Sequence, residues 1–493
     1  MYQVNLLASS VFGNILSVVV AVLILLLTIT VHEFGHYIVG KILKFKINEF
    51  AIGMGPAVFK KTMKNGEIFS VRIFPLGGFC AFEGEDEEPT NAQTDKSEAV
   101  SDGTVVADAK PEDKPPLSEN AFNNKKPWQR ILVLLAGATM NFIFAIILVT
   151  VKFVGYGHFA LMPAEIISPE IVVGDTLEAD DVILSVNGEF VYLTTDLIDM
   201  LDGKKKGDLV TVGVERDGER KTVTVSLAAD VSCESMSDID PCLKALGVGT
   251  VVALKTNDGC PIRSGAYLFR FAEYENAEDY EKCTRIYSLD DLYGRLKDLS
   301  DGETIALWTY YEGDEARTLV RLTAPEGFGG VDKNSLSAVL GAFGISAEPA
   351  AINYQLYSTT LKLGFFEGLY RAPAYAFKTL FVTLRSFWQL LGGKIAITEV
   401  SGPIGTVSLT SRYVSTWRFD YILEIAALIG VSIAVFNVLP IPALDGARVV
   451  FVIIEWIRKK PVPAKIEGTI HMVGLIALVA FAVLVDVLKL IIG

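Results

Sequence analysis

Apolar residues are concentrated in four long runs that lie near the two ends of the chain. The runs cover residues 11–31, 131–154, 422–439 and 470–492. A helix of about 20 apolar residues is long enough to cross the hydrocarbon core of a bilayer. The pattern therefore predicts an α-helical polytopic membrane protein with four transmembrane helices, two at each end of the chain.

The region between the two pairs of helices has an internal repeat. Leu193–Leu227 and Leu289–Leu322 both run through a helical pattern, a polar turn and two alternating strands. This plan resembles the PDZ domain, a small strand-helix barrel that binds peptide ends by adding a strand to its own edge. We expect an inserted α+β region of two PDZ-like domains. Two roles are open for them, namely peptide binding, or exclusion and spacing without a ligand.

These patterns divide the chain into segments. The expected segments are 1–155 with the first two transmembrane helices, 156–230 and 231–326 as the two PDZ-like domains, 327–420 as a connecting helical segment, and 421–493 with the last two transmembrane helices. Within the first segment, residues 85–120 are acidic and rich in Pro, Ser, Thr and Ala. That composition is typical of a disordered linker or of an interaction tail.

A short stretch with strand patterns follows the first transmembrane helix. It runs from Glu49 to Glu83 and is punctuated by glycines, so it predicts a membrane-associated β-hairpin. An unpaired strand edge binds extended peptides, which makes the glycines of this hairpin candidates for substrate binding: Gly53, Gly55, Gly77 and Gly78. The alternative is an interfacial hairpin that only packs.

Composition and charge are consistent with a membrane protein. The mean hydropathy is +0.39, 51% of residues are hydrophobic, and the net charge of -14 argues against nucleic-acid binding. The first run lacks a small-residue cleavage site, so we expect it to stay in the protein. Basic residues near the spans place both short loops in the cytoplasm, and the central region outside it: Lys41, Lys44, Lys46, Lys125, Lys126, Arg130, Arg458, Lys459, Lys460 and Lys465.

The cysteines fit this layout. Four of the five lie in the central region and only Cys80 lies in the first loop: the four are Cys233, Cys242, Cys260 and Cys283. Four cysteines allow three pairings, and a reducing habitat leaves all of them as thiols.

The candidate chemistry lies at the end of the first run, in the segment His32-Glu33-Phe34-Gly35-His36. On a helix, residues four apart share one face, so the two imidazoles can hold one zinc ion while Glu33 activates a water molecule. Inserting a charged side chain at a membrane span costs about 2.5 to 3.5 kcal/mol. Because of this cost, such residues at a span indicate a functional site. The alternative is a set of polar residues that cap the helix at the interface.

A catalytic zinc ion usually has three protein ligands, so a third must come from elsewhere. Asp445 is the candidate, because two prolines interrupt the third apolar run just before it. Its alternative role is an ion pair with Arg448. Asn437, in the same run, either binds substrate or the developing oxyanion, or satisfies the broken helix. Interfacial or structural roles are expected for His158 and His471, and Asp486, late in the last span, is expected to snorkel or to be paired near the outer surface.

Together these motifs resemble the site-2 protease family, and the tandem insert resembles its bacterial RseP-type members. Further matching segments are Arg72–Phe79, Phe122–Arg130, Ala136-Gly137, Asn141-Phe142 and Ser401–Gly405. Ala447 departs from the family, which usually has a second glycine there.

The resemblance implies a zinc metalloendopeptidase of the bacterial inner membrane, with extracytoplasmic PDZ-like domains and an active site near the cytoplasmic side. It also implies single-span substrates, such as truncated anti-sigma factors and remnant signal peptides.

Two other classes of protein compete with this interpretation. A membrane-anchored PDZ scaffold with a structural metal site does not require Glu33. A transporter with an intramembrane relay of His and Asp predicts polar residues through several spans, whereas here they are concentrated at one level.

Overall fold

The structure is a computed structural model that describes residues 2–85, 117–167, 175–233, 238–273, 283–311, 317–395, 397 and 400–492. The chain forms two compact units, one of residues 1–157 and 362–493 and the other of residues 158–361. Most of the predicted linker at 85–120 lies outside the described residues. Its last residue, Asn120, accepts a backbone hydrogen bond from Lys46 at 2.9 Å, so this end of the linker is ordered.

The secondary-structure elements follow in chain order. The helices are α1 (Tyr2–Ile42), α2 (Pro127–Gly155), α3 (Asp196–Leu201), α4 (Asp240–Ala245), α5 (Leu289–Leu296), α6 (Leu336–Ala342), α7 (Phe365–Leu391), α8 (Pro403–Ser415), α9 (Phe419–Val438), α10 (Asp445–Arg458) and α11 (Ala464–Ile492). The strands are β1 (Ile47–Thr62), β2 (Ile68–Phe82), β3 (His158–Pro163), β4 (Val182–Val186), β5 (Glu189–Phe190), β6 (Leu209–Arg216), β7 (Glu219–Ser226), β8 (Thr250–Ala253), β9 (Tyr267–Glu273), β10 (Thr284–Arg285), β11 (Thr304–Tyr310), β12 (Thr318–Thr323), β13 (Ala351–Tyr354) and β14 (Leu356–Leu361).

Four helices among the described residues are long and apolar enough to cross a membrane, which confirms the predicted number. Their spanning parts are Ile15–Ile42, Pro127–Gly155, Phe419–Val438 and Lys465–Lys489. Small residues allow α1, α2 and α9 to pack closely, as glycines do between membrane helices. A Cβ atom on Gly35 of α1 would lie 2.4 Å from the carbonyl oxygen of Ala136 on α2.

Two further helices belong to this unit, although they lie in the predicted connecting segment 327–420. Helix α7 packs against α2 and α9, and α8 packs against α1 and α9. The N-terminus of α8 is held by Asp486 of α11, whose carboxylate accepts hydrogen bonds from the backbone of Ile404 at 3.0 Å and Gly405 at 3.1 Å. Asp486, expected as a snorkelling or paired residue, therefore caps the N-terminus of α8.

The predicted hairpin is present and is sharply bent. Strands β1 and β2 pair along their length, but residues 49–52 have partners on both sides, in 78–81 and in 68–71. The ribbon therefore folds back on itself and leaves residues 57–62 and 78–82 as its outer segments. Gly53 and Gly77 have φ angles of 83° and 90° where the strands bend, a conformation that glycine adopts without strain.

The second unit contains two sheets, with strand orders β14-β3-β4-β6-β7 and β12-β11-β9-β8-β13. The predicted repeat is present, since α3 precedes the β6-β7 pair and α5 precedes the β11-β12 pair. Each sheet has its own hydrophobic core. The first core includes Leu161 and Val248, and the second includes Val252 and Ile345. Helices α4 and α6 pack into these cores, so residues beyond 230 and beyond 326 also contribute to them.

One pair of cysteines of the second unit lies close together. The sulfur atoms of Cys233 and Cys242 are 3.7 Å apart, and both residues are thiols in this structure. Burial raises the pKa of the Cys242 thiol, which slows its reaction as a nucleophile. If a disulfide forms, this geometry favours the pair Cys233–Cys242, which thiol labelling with and without reductant tests.

Candidate metal centre

Helix α1 carries both histidines of the motif on one buried face. The exposed fractions of His32 and His36 are 6% and 7%. His36 Nδ1 donates a hydrogen bond to the carbonyl oxygen of Val133 on α2 at 2.8 Å. Because a carbonyl only accepts, the proton stays on Nδ1 and the lone pair of Nε2 points into the site. The second helix thus orients the imidazole for metal binding.

Asp445 reaches the histidines from the other end of the chain. Helix α9 ends at Val438 because Pro440 and Pro442 have no backbone N–H to continue it, and α10 begins at Asp445 itself. Asp445 Oδ2 lies 3.0 Å from His32 Nε2 and 3.3 Å from His36 Nε2.

Helix α10, which begins with Asp445, forms two ion pairs with other segments. Arg448, the alternative partner for Asp445, is instead paired with Glu85. Arg130 of α2 is 2.8 Å from Glu455 of α10. The second pair ties the helix that begins with Asp445 to the helix that orients His36.

The three converging atoms have the spacing that a zinc ion requires. The two Nε2 atoms are 3.1 Å apart, so all three separations lie between 3.0 and 3.3 Å. Ligands bound tetrahedrally at about 2.0 Å lie about 3.3 Å from one another. Two imidazoles and one carboxylate also form a donor set that is typical of catalytic zinc sites. The arrangement therefore fits zinc, with one coordination position left over.

Gly137 of α2 faces the two imidazoles. A Cβ atom at this position would lie 2.4 Å from His36 Nε2 and 2.6 Å from His32 Nε2. Only a residue without a side chain leaves room for the rings and an ion between them. Gly137 belongs to a segment that matches the site-2 protease family, but nothing local in the sequence shows what a helical glycine faces.

Glu33 lies between this cluster and the hairpin. Its carboxylate accepts a hydrogen bond from the backbone N–H of Cys80 in β2. A Cβ atom on Gly78 would lie 2.9 Å from the carbonyl oxygen of Ala51 in β1 and 3.4 Å from Glu33 Cγ. Gly78 is thus beside the candidate base, whereas Gly53 contacts the backbone of Arg72 and Phe74, within the bent ribbon.

Two other candidate glycines lie further along the same ribbon. Gly55 packs against the ring of Phe74, and Gly77 packs against the side chain of Met54. Both have positive φ angles, of 84° and 90°. Gly55 and Gly77 thus shape the ribbon through these contacts and through their backbone conformation.

The hairpin is stabilised near this site by a partly buried carboxylate, that of Glu49. Arg72 Nη2 donates to Glu49 Oε1 at 2.7 Å, and Ser70 Oγ donates to the same oxygen at 2.5 Å. Burial raises the pKa of Glu49, but these hydrogen bonds more than offset it and leave the pKa below its ordinary value. Glu49 therefore stays ionised and holds the segment 68–72 against β1.

The remaining predicted residues lie as follows. Asn437 Nδ2 donates to the carbonyl oxygen of Ile433 at 3.0 Å, one turn back on its own helix. His158 belongs to the second unit and bonds Val191 O at 3.1 Å. His471 Nδ1 accepts a hydrogen bond from the backbone of Ala443 at 3.0 Å. Among the described residues, the group that could hold a metal ion consists of His32, His36 and Asp445.

Comparisons with known proteins agree with this geometry. Residues 20–481 match the sequence model of Peptidase family M50. The chain is 25% identical over 471 residues to a protein of Fusobacterium nucleatum named as a zinc metalloprotease, covering 95% of this chain and 96% of the relative. It is 25% identical over 476 residues to the regulator of sigma-E protease RseP of Escherichia coli, covering 92% and 93%. It is also 25% identical over 501 residues to the regulator of sigma E protease of Haemophilus influenzae, covering 96% and 98%.

Proposed function

Because the chain belongs to peptidase family M50, we propose that it is an intramembrane zinc metalloprotease that hydrolyses peptide bonds in single-span membrane proteins. One observation carries the proposal. His32 and His36 at the end of the first span and Asp445 beyond the third converge within 3.3 Å of one another, with Glu33 beside them. A site of this kind is costly at a membrane span unless it has a function.

His32, His36 and Asp445 would hold the zinc ion. When bound there, zinc supplies Lewis-acid polarisation of the scissile carbonyl and lowers the pKa of water toward about 7.

Glu33 takes the proton from the attacking water and delivers it to the nitrogen of the leaving amine. The hydrogen bond from the Cys80 amide fixes the direction of its carboxylate. The two imidazoles are buried where α1 packs against α2, so this side of the site is closed to solvent. No covalent intermediate on the protein is required.

The outer segment 78–82 of the hairpin is the place where we propose that substrate binds. The N–H groups of Cys80 and Phe82 point away from β1, since they bond to the carboxylates of Glu33 and Glu85. By alternation along a strand, the backbone of Gly78 faces the same side. A transmembrane substrate must unwind before hydrolysis, and pairing with this edge would hold it extended beside Glu33. Gly53, Gly55 and Gly77 would support this edge by shaping the ribbon.

A proline at each outer segment tests the proposed substrate edge. Gly78→Pro is expected to lower cleavage about tenfold or more relative to Gly78→Ala, with zinc content unchanged, because the edge loses a donor and gains a ring. The alanine variant is the reference because it adds the same Cβ atom, 2.9 Å from the carbonyl oxygen of Ala51, but keeps the donor. Lys60→Pro is the matched control in the other outer segment, residues 57–62. There Met63 N donates to Glu67 O, just before the neighbouring strand, so by alternation along the strand Lys60 N–H points outward. Equal cleavage by the two proline variants would contradict the assignment.

Asn437 is proposed as an accessory group for substrate. Its nitrogen bonds its own helix, which leaves the side-chain oxygen as the atom that could accept from an extended peptide. The bond at 3.0 Å supports the other interpretation equally, since it also satisfies the end of α9.

The second unit is proposed to consist of two PDZ-like domains. The repeat of a helix followed by a strand pair and the two separate cores support this. Peptide binding and exclusion of bulky ectodomains remain the two roles that we propose for them.

The protein is proposed to reside in a bacterial inner membrane, with this unit extracytoplasmic and the metal site near the cytoplasmic side. The four spans and the placement of Lys and Arg support this sidedness. Two of the relatives carry the name 'regulator of sigma E protease'. We therefore propose truncated anti-sigma factors and remnant signal peptides as substrates.

Metal removal tests the proposed function. The full-length protein in detergent, incubated with a single-span reporter that has a short ectodomain, is expected to cleave within the span. A chelator should abolish cleavage and added zinc should restore it. Asp445→Asn should lose zinc and activity, whereas Asp217→Asn, in an exposed turn where asparagine tolerates the φ of 54°, should not. Cleavage that persists without metal would refute the proposal.

A further inference from the structure

Ala443 lies two residues before Asp445 and has an unusual backbone conformation. Its φ angle is 78°, in the left-handed region that residues with a Cβ atom rarely adopt. Such a conformation persists only where the surrounding structure holds it, and it is concentrated at functional sites. The turn sets the direction in which the chain enters α10, and Asp445 is the first residue of α10.

His471 of α11 contacts this turn. The backbone N–H of Ala443 donates to His471 Nδ1 at 3.0 Å. The imidazole ring also packs on Phe451 of α10, with 5.7 Å between ring centroids. Because Nδ1 accepts, the ring proton lies on Nε2, which is 4.0 Å from a carboxylate oxygen of Glu467. His471 therefore contacts both the turn and the helix that Asp445 begins.

The backbone of α11 is brought close to the same turn. A Cβ atom on Gly474 would lie 2.2 Å from Pro442 Cβ, so only glycine permits this approach. On the other side of Asp445, a Cβ atom on Gly446 would lie 2.1 Å from the carbonyl oxygen of Leu439. The segment before Asp445 is thus confined by α11 and by the end of α9.

We propose that His471 is a positioning residue for the metal centre. Its Nδ1 holds Ala443 in the left-handed turn, and the turn directs the carboxylate of Asp445 toward the two histidines. The proposal rests on the proposed function, since it assumes that Asp445 is a metal ligand. It gives the fourth span a part in the site although that span supplies no ligand.

The acceptor position distinguishes this role from simple packing. Asparagine places a side-chain atom where Nδ1 of histidine lies, and glutamine places one near Nε2. His471→Asn should therefore keep the hydrogen bond from Ala443, and His471→Gln should lose it while it retains a polar side chain of similar size.

Cobalt binding to the metal-depleted full-length protein in detergent measures the effect without any substrate. We expect His471→Gln to weaken Co²⁺ affinity about tenfold or more and to change the visible absorption, because the support of a metal ligand typically contributes this much. His471→Asn should bind as the wild type does. Met472→Ala, which changes an exposed neighbour, is the control and should also leave binding unchanged.

A second substitution tests the role of the turn. Glycine adopts the left-handed conformation without cost, so Ala443→Gly in the His471→Gln background should restore part of the lost affinity. Equal affinity and absorption for wild type and His471→Gln would overturn the proposal. Equal weakening by Asn and Gln would overturn it as well, because asparagine keeps the acceptor for the Ala443 N–H. If the wild type binds no Co²⁺, the proposed metal site itself fails.

Discussion

Glu33→Gln is expected to abolish peptide hydrolysis while the protein keeps its zinc. The side-chain amide has the shape of the carboxylate but cannot take up a proton, and Glu33 is not one of the three converging ligands. The loss should reach about 100-fold to 10,000-fold, the usual contribution of a general base. Cleavage of a single-span reporter in membranes and metal analysis of the purified protein measure the two quantities.

The control for this variant is Glu119→Gln, a change of the same kind at an exposed position. It should cleave at the wild-type rate. If Glu33→Gln cleaves within a few-fold of the wild type, another group takes the proton. If it loses zinc as well as activity, the effect is on the architecture of the site and the assignment of Glu33 as the base is not supported.

Gly137→Ala is expected to remove zinc and activity together. The added methyl group would lie 2.4 Å from His36 Nε2 and 2.6 Å from His32 Nε2, so one or both rings must move. A displacement of this kind should lower zinc affinity at least about tenfold and cleavage with it. Zinc titration and the same reporter assay measure both.

The loss of zinc by Gly137→Ala can be distinguished from a folding defect, because alanine stabilises a helix relative to glycine. Alanine is favoured over glycine in a helix by about 1 kcal/mol, so the substitution should not weaken α2 locally. Gly155→Ala, at the end of the same helix, would place its Cβ atom with nothing within 4 Å and should be neutral in both assays. Retention of full zinc affinity by Gly137→Ala would mean that the site has more room than the structure shows.

The candidate metal cluster shows how much of a site a local sequence pattern can predict. His32 and His36 were recognised because a spacing of four places them on one helical face, and α1 does present them together. Asp445 was found because two prolines beside an acid are unusual in an apolar run, and it lies opposite the histidines. Each of these signals lies within about ten residues of sequence.

The residues that were missed act through contacts between distant segments. Nothing local in the sequence connects Gly137 with the imidazoles, Cys80 with Glu33, or His471 with Ala443. The packing of α4 and α6 depends on such contacts too, because these helices follow the repeats in sequence and pack into their cores.

The sequence by itself determined the four spans, the hairpin, the repeated helix and strand pair, and the candidate ligands. The periodicity of apolar residues, the length of apolar runs and the spacing within motifs are local properties of the sequence. The folded chain keeps the elements that they predict. Only the tertiary structure decided which backbone groups orient Glu33 and His36, where a side chain is excluded, and how the turn before Asp445 is held. These depend on distances of a few ångströms between helices, and such distances are set by packing of the whole unit.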